Sequence, residues 1–429
     1  MNAFTFAKIK NLSGFFYSIF LWLYRVAVGI SSIWNEKARK WIDGRKRLFE
    51  KIKREVNGSK PGIVWVHCSS LGEFEQGKPV MEKIKSQYPN HKLLITFFSP
   101  SGYEIKKDYA GADHVFYLPM DSPGNARKFL DIVRPTLAIF IKYDYWYYYL
   151  SEIKRRSVHC FLVSAVFRQD QAFFKWYGTL QRKMLSCFTQ IFVQDEGSKE
   201  LLETVNVDHC AVSGDTRFDT VVELSEKFEP VTLVESFISS DKAIVAGSTW
   251  PKDEEFLQTA FNKLASDRLK LIIAPHEIND DHLDEIKKLF PSSVRFSQLT
   301  SHLSTRSNIL IIDNIGMLSR LYKYSFITYV GGGFTQDGVH NVLEAAVYGK
   351  PVLFGKNYKK YKEAAELIQV GGAISFSDPE GLYKTLITLL NDKGDYGSRC
   401  NASKNYVREN KGATGKVLSY IEINRLLTR

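Results

Sequence analysis

The chain has 429 residues, a formal net charge of +11 and a hydrophobic content of 44%. This length exceeds one ordinary hydrophobic core and predicts two domains of roughly 180 residues each. Its five scattered cysteines lack C-x-x-C spacing, which excludes a disulfide framework and a cysteine-based zinc motif and is typical of a reducing compartment.

The first element is an apolar segment at residues 14–34, GFFYSIFLWLYRVAVGISSIW, which contains a single charge, Arg25. A stretch of about 20 apolar residues can span a bilayer. No small-residue cleavage pattern follows it, so a removable signal peptide is not expected. Arg25 is costly inside a spanning helix and tolerated in a helix that lies in the interface, so both arrangements stay open.

A basic run follows, with nine lysines and arginines between Lys37 and Arg54. Such a flank holds the rest of the chain in the cytoplasm and attracts anionic headgroups. Nucleic acid is another partner that suits this charge, but the run adjoins an apolar anchor and not an interleaved aromatic platform, which favours lipid. We therefore predict that residues 1–55 form a membrane anchor with a basic flank, and we expect no nucleic-acid partner.

After the anchor, apolar runs alternate with helical patterns such as 76–88 and 123–133, which is typical of a buried parallel sheet. We predict a Rossmann-like domain over residues 56–225. Its strands are predicted at Ile63–His67, Leu93–Phe97, Leu137–Ile141, Cys160–Ser164 and Ile191–Gln194.

A charged stretch with Pro230 predicts a linker over 226–241, and a second Rossmann-like domain follows over 242–400. Residues 401–429 have the pattern of one closing helix. The whole pattern predicts two doubly wound α/β domains in tandem with a cleft between them. Strands of the second domain are predicted at Ala243–Ala246, Leu271–Ala274, Ile309–Ile312, Ile327–Val330 and Pro351–Phe354.

The stretch from Tyr329 to Gly355 reads YVGGGFTQDGVHNVLEAAVYGKPVLFG and predicts a strand, a glycine turn, a helix opening near His340–Asn341, and a strand. Glycines let a ligand approach the backbone, and the N–H groups of a helix start attract anions. Glu344 would repel a phosphate and accept hydrogen bonds from two vicinal hydroxyls. This combination predicts a nucleotide with a free ribose; a tight turn with a solvated glutamate is the alternative.

The first strand of the first domain ends in HCSSLGEFEQGKPV, where Glu73 follows Gly72 at the passage from strand to helix. A carboxylate at the carboxyl end of a strand is well placed to take a proton from a bound hydroxyl. The alternative is an acid that stabilises the helix N-terminus through the macrodipole, a part that Glu75 suits equally.

Six ordered motifs together resemble the 3-deoxy-D-manno-octulosonic acid (Kdo) transferase family over essentially the whole chain. The resemblance implies a membrane-anchored, metal-independent, inverting glycosyltransferase of the two-Rossmann GT-B class. It also implies transfer of Kdo from CMP-Kdo to the lipid A precursor, lipid IVA, at the cytoplasmic face of the inner membrane, without a cofactor. The motifs are HCSSLGE (67–73), GDTRFD (214–219), AGSTW (246–250), APHE (274–277), GGGF (331–334) and HNVLEAA (340–346).

By this resemblance Glu73 is the general base that deprotonates the acceptor hydroxyl. Arg217 stabilises the phosphate that leaves; a surface pairing with Asp215 or Asp219 is its alternative. Ser248 and Thr249 lie at another strand end and are candidate hydrogen-bond donors to the phosphate of the nucleotide. His340 is expected to shape the helix start. The resemblance assigns CMP contacts to Pro275, His276, Ile315, Gly316, Met317, Asn341, Val342, Leu343 and Glu344.

Two positions depart from the family pattern. The family commonly has E-x-E-x-W, where this chain has Lys142 in place of the first acid and Asp144 in place of the second. Lys142 is a candidate contact for the Kdo carboxylate or an acceptor phosphate. Many members also have an arginine before the histidine at the nucleotide turn, where this chain has Pro275 before His276.

The acceptor site is expected to join the basic run to the aromatic segment 143–149, although these aromatics suit core packing equally well. Two other functions stay open on the residues alone. One is a different GT-B glycosyltransferase with a nucleotide sugar and a lipid-linked acceptor, and the other is a non-catalytic membrane-bound nucleotide-sugar-binding protein. The number of Kdo residues transferred and the oligomeric state are not encoded in any motif.

Overall fold

A computed structural model describes residues 3–56, 62–264, 268–299 and 307–428, with side chains from residue 14 onward. The chain divides into two compact units. The first comprises Met1–Thr220 together with Gly412–Arg429, and the second comprises Val221–Lys411.

The first unit is built on a seven-stranded parallel sheet in the order β3-β2-β1-β4-β5-β6-β7. Its five predicted strands are confirmed. The elements are α1 Ala3–Ser31, α2 Glu36–Asp43, α3 Leu48–Val56, β1 Ile63–Cys68, α4 Leu71–Gln87, β2 Lys92–Phe97, α5 Pro100–Lys106, β3 His114–Tyr117, α6 Pro123–Val133, β4 Pro135–Ile141, α7 Tyr147–Arg155, β5 His159–Ala165, α8 Thr179–Leu185, β6 Gln190–Val193, α9 Glu196–Glu203, β7 Cys210–Val212 and α10 Thr216–Glu226.

Strand β1 shows why a continuous apolar run forms the centre of this sheet. It pairs with β2 on one side and β4 on the other, and all six of its residues are buried. Alternate side chains point to opposite faces, so Trp65 packs in one hydrophobic core while Val64 and Val66 pack in another. Helices cover both faces of the sheet. The carboxyl end of β1 leads directly into the turn before α4.

The second unit repeats the architecture with a seven-stranded parallel sheet in the order β10-β11-β9-β8-β12-β13-β14. Its five predicted strands are also confirmed, as is the fold class of two doubly wound domains. The elements are α11 Thr232–Ile238, β8 Lys242–Thr249, α12 Pro251–Leu264, β9 Leu269–Pro275, α13 Asp280–Leu289, β10 Val294–Arg295, β11 Ile309–Ile311, α14 Leu318–Leu321, β12 Ile327–Val330, α15 Leu343–Ala346, β13 Val352–Gly355, α16 Lys362–Gln369, β14 Ala373–Phe376, α17 Pro379–Asn391 and α18 Lys393–Asn410. The last helix, α19 Ala413–Ile423, belongs to the first unit.

The unit boundaries differ from the predicted ones at both ends of the second unit. Residues 226–241, predicted as a linker, include α11, whose residues Val234 and Phe237 are buried. The single closing helix predicted over 401–429 is two helices, because Gly412 adopts a left-handed backbone (φ 108°) between α18 and α19. Asp219 accepts hydrogen bonds from the backbone N–H groups of Gly412 and Thr414, which fixes α19 on the first unit.

Helix α1 contains the stretch Gly14–Ser31, which among the described helices is the one long and apolar enough to cross a membrane. One side of it packs on the first unit: the Tyr17 hydroxyl donates to Asp121 at 2.7 Å, and the Tyr24 ring contacts Trp41. The opposite side is exposed, including Phe20 and Trp22. The predicted apolar anchor is therefore a helix with one packed side and one bare side.

Candidate functional site

Glu73 is held by the turn that joins β1 to α4. Ser70 is the N-cap of α4, and Glu73 is the third residue after it. The Ser70 backbone N–H donates to Glu73 Oε2 at 2.6 Å, and the Ser70 hydroxyl donates to the same oxygen. No described residue donates to Oε1. Glu73 is thus held at the helix N-terminus by its bonds to Ser70, which use Oε2 and leave Oε1 for other chemistry.

A buried polar network lies behind this turn. Asp144 is buried and accepts from the Ser69 hydroxyl, and its Oδ2 lies 3.5 Å from His67 Nε2. Since Trp146 Nε1–H donates to His67 Nε2 at 2.9 Å, the His67 proton is on Nδ1, which contacts the Thr96 carbonyl at 3.1 Å. Burial lowers the pKa of His67 to about 3, so this ring is neutral.

Asp144 favours the neutral form as well. Burial raises its pKa well above the ordinary aspartate value, and the negative charge of Glu73 raises it further against the hydrogen bond from Ser69. Its buried Oδ2 accepts no hydrogen bond from the described residues. A neutral Asp144 adds no negative charge beside Glu73.

The Arg217 segment is joined directly to the helix that carries Glu73. The Thr216 hydroxyl donates to the Gln76 carbonyl of α4 at 2.5 Å. Arg217 itself forms an ion pair with Asp215, at 2.7 Å from Nη2 and 2.9 Å from Nε to Oδ2. Asp215 is therefore a partner of this arginine. Both Glu73 and Arg217 act electrostatically on the Tyr143 hydroxyl, so they lie in one region of the first unit.

Lys142 lies on the sharp turn at the end of β4. Its backbone is left-handed (φ 64°), and its N–H donates to the Val163 carbonyl at 2.9 Å. The ammonium lies 5.2 Å from the centre of the Tyr143 ring. Because β4 pairs with β1, the turns that carry Lys142 and Glu73 leave the same edge of the sheet.

In the second unit, the three glycines after β12 serve backbone packing. This differs from the expectation that they let a ligand approach the backbone. A Cβ on Gly331 would lie 2.2 Å from the Ser248 carbonyl oxygen, and one on Gly333 would lie 2.4 Å from the Gly355 nitrogen. The Gly332 N–H, with φ 86°, donates to the buried carboxylate of Asp253 at 2.9 Å. Sequence alone does not distinguish a close ligand from a close backbone.

The predicted helix near His340 is shorter than expected. Helix α15 has four residues, and Val342 is its N-cap. Asn341 nevertheless organises the turn, because its Oδ1 accepts from the Leu343 N–H at 3.2 Å and its amide donates to Glu344 Oε1 at 3.0 Å. Glu344 is half-buried. The carboxylate predicted to contact a ribose is held in place by Asn341.

An aromatic stack links three of the motifs. His276 is exposed and lies between Trp250 and His340, with ring centres 4.8 and 4.4 Å away. Trp250 Nε1–H donates to His340 Nε2 at 3.0 Å. Burial, followed by the neighbouring His276, lowers the pKa of His340 to about 4, so His340 is neutral and orders the turn as expected. Pro275, before His276, is buried.

The two strand-end hydroxyls expected at the phosphate lie in different environments. Ser248 is half-buried and left-handed (φ 54°) at a register shift near the end of β8. Thr249 is fully buried, and its hydroxyl donates to Glu254 at 2.8 Å. The Thr249 hydroxyl is therefore buried and already bonded to Glu254, which differs from its predicted role as a donor to the phosphate. Ser248 is the more accessible of the two.

The loop after β11 supplies the remaining predicted positions. Ile315 is 90% exposed, Gly316 is left-handed (φ 90°) with open space around it, and Met317 is buried. Strands β11, β9, β8 and β12 are consecutive neighbours in one parallel sheet. Their carboxyl ends therefore bring the predicted donor contacts to a single edge of the second unit. Within the described residues, no group of three or more histidine, cysteine or acidic side chains is arranged to hold a metal ion.

Sequence reasoning missed several residues that organise these sites. Ser70 had a usable signal, because a serine three residues before a glutamate at a helix start is the capping-box pattern. The buried pair of His67 and Asp144 had none, since β1 and β4 are distant in the chain. The bond from Trp250 to His340 spans 90 residues and was equally out of reach.

Comparisons with known proteins point in one direction. Residues 44–220 match the family described as 3-Deoxy-D-manno-octulosonic-acid transferase (kdotransferase). A 3-deoxy-D-manno-octulosonic acid transferase of Aquifex aeolicus is 29% identical over 336 residues, which cover 76% of this chain and 85% of that protein. A bifunctional glycosyltransferase/methyltransferase of Fusobacterium nucleatum is 27% identical over 374 residues. Those residues cover 84% of this chain and 57% of that relative, so the chain spans little more than half of it.

Solved structures agree on the fold. The crystal structure of UDP-GlcNAc 2-epimerase from Neisseria meningitidis bound to UDP-GlcNAc superposes with a TM-score of 0.59 and 17% identity. It covers 83% of this chain and 98% of that one. At this identity the likeness is one of fold alone, and it matches the GT-B type arrangement of two parallel-sheet domains.

Proposed function

The chain belongs to the 3-deoxy-D-manno-octulosonic acid (Kdo) transferase family of glycosyltransferases, and from this membership we propose that it moves Kdo from CMP-Kdo to lipid IVA in lipopolysaccharide biosynthesis. The observation that carries the proposal is the Glu73 carboxylate. Ser70 holds its Oε2, while its Oε1 receives no hydrogen bond from the described residues. A fixed carboxylate with one open oxygen suits a general base.

In the proposed reaction, Glu73 takes the proton of the acceptor's primary hydroxyl as that oxygen attacks C2 of Kdo. The bond from C2 to the phosphate oxygen of CMP breaks, and CMP leaves as a phosphate monoester. A single displacement with one base inverts the configuration at C2 and needs neither a covalent intermediate nor a metal. The neutral state favoured for Asp144 is compatible with this assignment, because a protonated Asp144 is not itself a base.

Arg217 is proposed to stabilise the charge that develops on the leaving phosphate. Its support is the hydrogen bond from Thr216 to Gln76, which ties the arginine segment to the helix of the proposed base. Lys142 is proposed to contact the Kdo carboxylate or an acceptor phosphate. Its position on the turn after β4, beside the strand that leads to Glu73, is compatible with either contact.

The second unit is proposed to hold CMP-Kdo. Glu344, fixed by Asn341, is proposed to accept hydrogen bonds from the ribose hydroxyls. His276, exposed on its aromatic stack, and Ser248 are proposed phosphate contacts, and the exposed Ile315 is proposed to contact the base. No further cofactor is proposed.

Kdo transferases are membrane-associated, and α1 with the basic run is proposed to hold this chain on the cytoplasmic face of the inner membrane. The exposed apolar side of α1 supports attachment. Lipid IVA, being embedded in that membrane, would then be presented to the first unit.

The proposed function is tested with purified full-length protein, CMP-Kdo and lipid IVA. Mass spectrometry is expected to find lipid IVA carrying one or more Kdo residues, and nuclear magnetic resonance is expected to find the inverted configuration at C2. Transfer from a UDP-sugar with no transfer from CMP-Kdo would assign a different GT-B activity. CMP-Kdo binding without any product would assign a binding protein.

A further inference from the structure

A cavity of about 540 Å³ opens in the first unit between α1, α2 and the segment that leads into α6. Three of its described lining residues are cations and none is an acid, although Lys46 forms an ion pair with Asp43 outside the lining at 2.7 Å. A cavity with this composition attracts an anion. The polar and small residues that line it are Arg25, Gly29, Trp41, Arg45, Lys46 and Asn125.

Arg45 is the fixed cation of this cavity. Its guanidinium donates to three backbone carbonyls: Nε to Leu118 at 3.0 Å, Nη1 to Trp41 at 3.0 Å and Nη2 to Phe98 at 2.8 Å. It also lies 3.9 Å from the centre of the Trp41 ring. Three of the five N–H donors of the guanidinium are used in this way, and two remain.

Arg45 has no ion pair with any described carboxylate. Burial lowers its pKa to about 9, which still leaves it protonated at neutral pH. A partly buried cation without a counterion is costly, and an anion in the cavity removes that cost. The rigid placement of the guanidinium by carbonyls means that little side-chain entropy is lost when an anion binds.

Arg25, the single charge of the apolar segment 14–34, completes the cationic surface. It lies one turn before Gly29 on α1, and both line the cavity. No described ion pair includes Arg25. Its charge is therefore available at the cavity, and α1 meets the cavity with its polar stripe while Leu23 and Ile30 stay exposed.

The ligand that this arrangement fits is both anionic and apolar. The exposed apolar side of α1 borders the cationic cavity, which suits an amphiphile with its tails beside the helix and its charged head inside. Arginine forms paired hydrogen bonds with phosphate oxygens, the anionic group that most membrane lipid heads carry.

We propose that this cavity binds a phosphate monoester on the head of a membrane lipid. Under the proposed function, on which the identity of the lipid rests, that lipid is the acceptor. The Arg45 contacts to Phe98 and Leu118 lie just after β2 and β3, which leave the same edge of the sheet as the turn that carries Glu73. A phosphate held there would anchor the acceptor on the side of the unit where its hydroxyl is needed.

The first test measures transfer kinetics of the full-length Arg25→Gln/Lys46→Gln variant with lipid IVA and with chemically dephosphorylated lipid IVA. We expect KM for the phosphorylated acceptor to rise about tenfold or more with kcat nearly unchanged, since a charge-assisted hydrogen bond is lost. With the dephosphorylated acceptor, the wild type already has the high KM and the variant adds nothing. An equal rise of KM for both acceptors would overturn the proposal.

The matched control is Lys83→Gln/Arg127→Gln, which removes the same two charge types from exposed positions of the first unit outside the cavity. KM is expected to change less than twofold in this control. If KM of the control rose as much as KM of the cavity variant, the loss of net charge alone would explain the effect, which would contradict a specific site.

A second readout does not need Kdo transfer. Full-length protein is floated with phosphatidylcholine vesicles that contain either phosphatidic acid, a phosphate monoester, or phosphatidylglycerol at equal surface charge. We expect the wild type to prefer phosphatidic acid and the Arg25→Gln/Lys46→Gln variant to lose that preference; a preference kept by the variant would overturn the phosphate site. Loss of the preference without a change in KM would uphold the site and exclude the acceptor as its ligand. Absence of Kdo transfer by the wild type would refute the proposed function and leave this test intact.

Discussion

Glu73 in the first unit and Glu344 in the second are held by the same local device. Each follows a strand of a parallel sheet, and each bonds to a polar residue three positions earlier, Ser70 and Asn341 respectively. The helices behind them differ greatly, with 17 residues in α4 and four in α15. The pairing therefore fixes a carboxylate at a strand end whether or not a long helix follows.

The two glutamates differ in what surrounds them. Glu73 lies before a buried acid, Asp144, and near the Arg217 segment. Glu344 lies near Tyr322 and Tyr348, whose pKa values are raised by burial and then by the charge of Glu344. A charged setting suits proton transfer and charge stabilisation, whereas a setting of hydroxyls suits recognition of a sugar. The proposed division of labour, chemistry at Glu73 and donor binding at Glu344, follows from this contrast.

The largest effect is expected from Glu73→Gln, which keeps the hydrogen-bond geometry of an acceptor oxygen and removes the base. We expect kcat for transfer to fall by about 10²–10⁴-fold, the usual contribution of a general base. Glu75→Gln is the control, since Glu75 is two residues away and forms an ion pair with Lys106 at 3.1 Å. Near-normal transfer by the Glu73 variant, measured at neutral pH, would remove the base from this position.

Arg217→Gln is expected to lower kcat by about 10²–10³-fold, as when one donor to a developing oxyanion is removed. Because Arg217 also pairs with Asp215, thermal unfolding is measured beside the kinetics. Asp215→Asn, which breaks the same ion pair and keeps the arginine, should lose far less activity. If both variants lose activity equally, the arginine acts through the ion pair.

Glu344→Gln is expected to weaken CMP binding by about 10- to 100-fold, because a hydrogen bond to a charged group contributes about 1.5–3 kcal/mol. Isothermal titration calorimetry with CMP measures the change. The sharper comparison uses 2′-deoxy-CMP, which the wild type should bind more weakly and the variant should bind about as well as CMP. A variant that still distinguishes the two ligands would place the ribose contact elsewhere.

The smallest effect on transfer is expected from Asp144→Asn, since the amide resembles the protonated acid that burial favours. Stability should respond to pH instead. The pKa of Asp144 in the folded protein lies above its unfolded value of about 3.9. The wild type therefore loses stability as pH rises from about 3.9 to the folded-state pKa, whereas the asparagine of the variant does not titrate. Thermal unfolding of both proteins from pH 4 to 8 measures this; a pH-independent difference between them would contradict a raised pKa.

The strands that sequence reasoning found and those it missed differ in position. Each strand found is flanked by others, and its apolar run reflects burial on both faces. The four missed strands are the edge strands of the two sheets; β7 and β10, for example, have half-buried residues throughout. Strands β7 and β10 therefore lack a buried apolar run to detect, whereas β3 has one of three residues, Val115–Tyr117, and was missed nevertheless. The missed edges are β3, β7, β10 and β14.

The candidate site, like the fold, could be predicted only where a local sequence pattern marks it. Glu73, Arg217 and Glu344 each stand in a short motif, so the sequence could propose them as candidates. The partners Asp144, His67 and the stack on Trp250 depend on contacts between distant segments, which no local pattern records. The expected role of the glycines after β12 differed from the structure for the same reason. Gly331 and Gly333 lack a Cβ where the backbone of other strands packs against them, and those strands are distant in the sequence.

The division of labour between the two glutamates is tested most directly by single-turnover transfer at rising CMP-Kdo concentration. Wild-type, Glu73→Gln and Glu344→Gln proteins are compared with excess lipid IVA. We predict that the Glu344 variant approaches the wild-type rate once the donor saturates, whereas the Glu73 variant stays slow at every concentration. Recovery of the Glu73 variant at high donor, or a Glu344 variant that stays slow at saturation, would contradict the account.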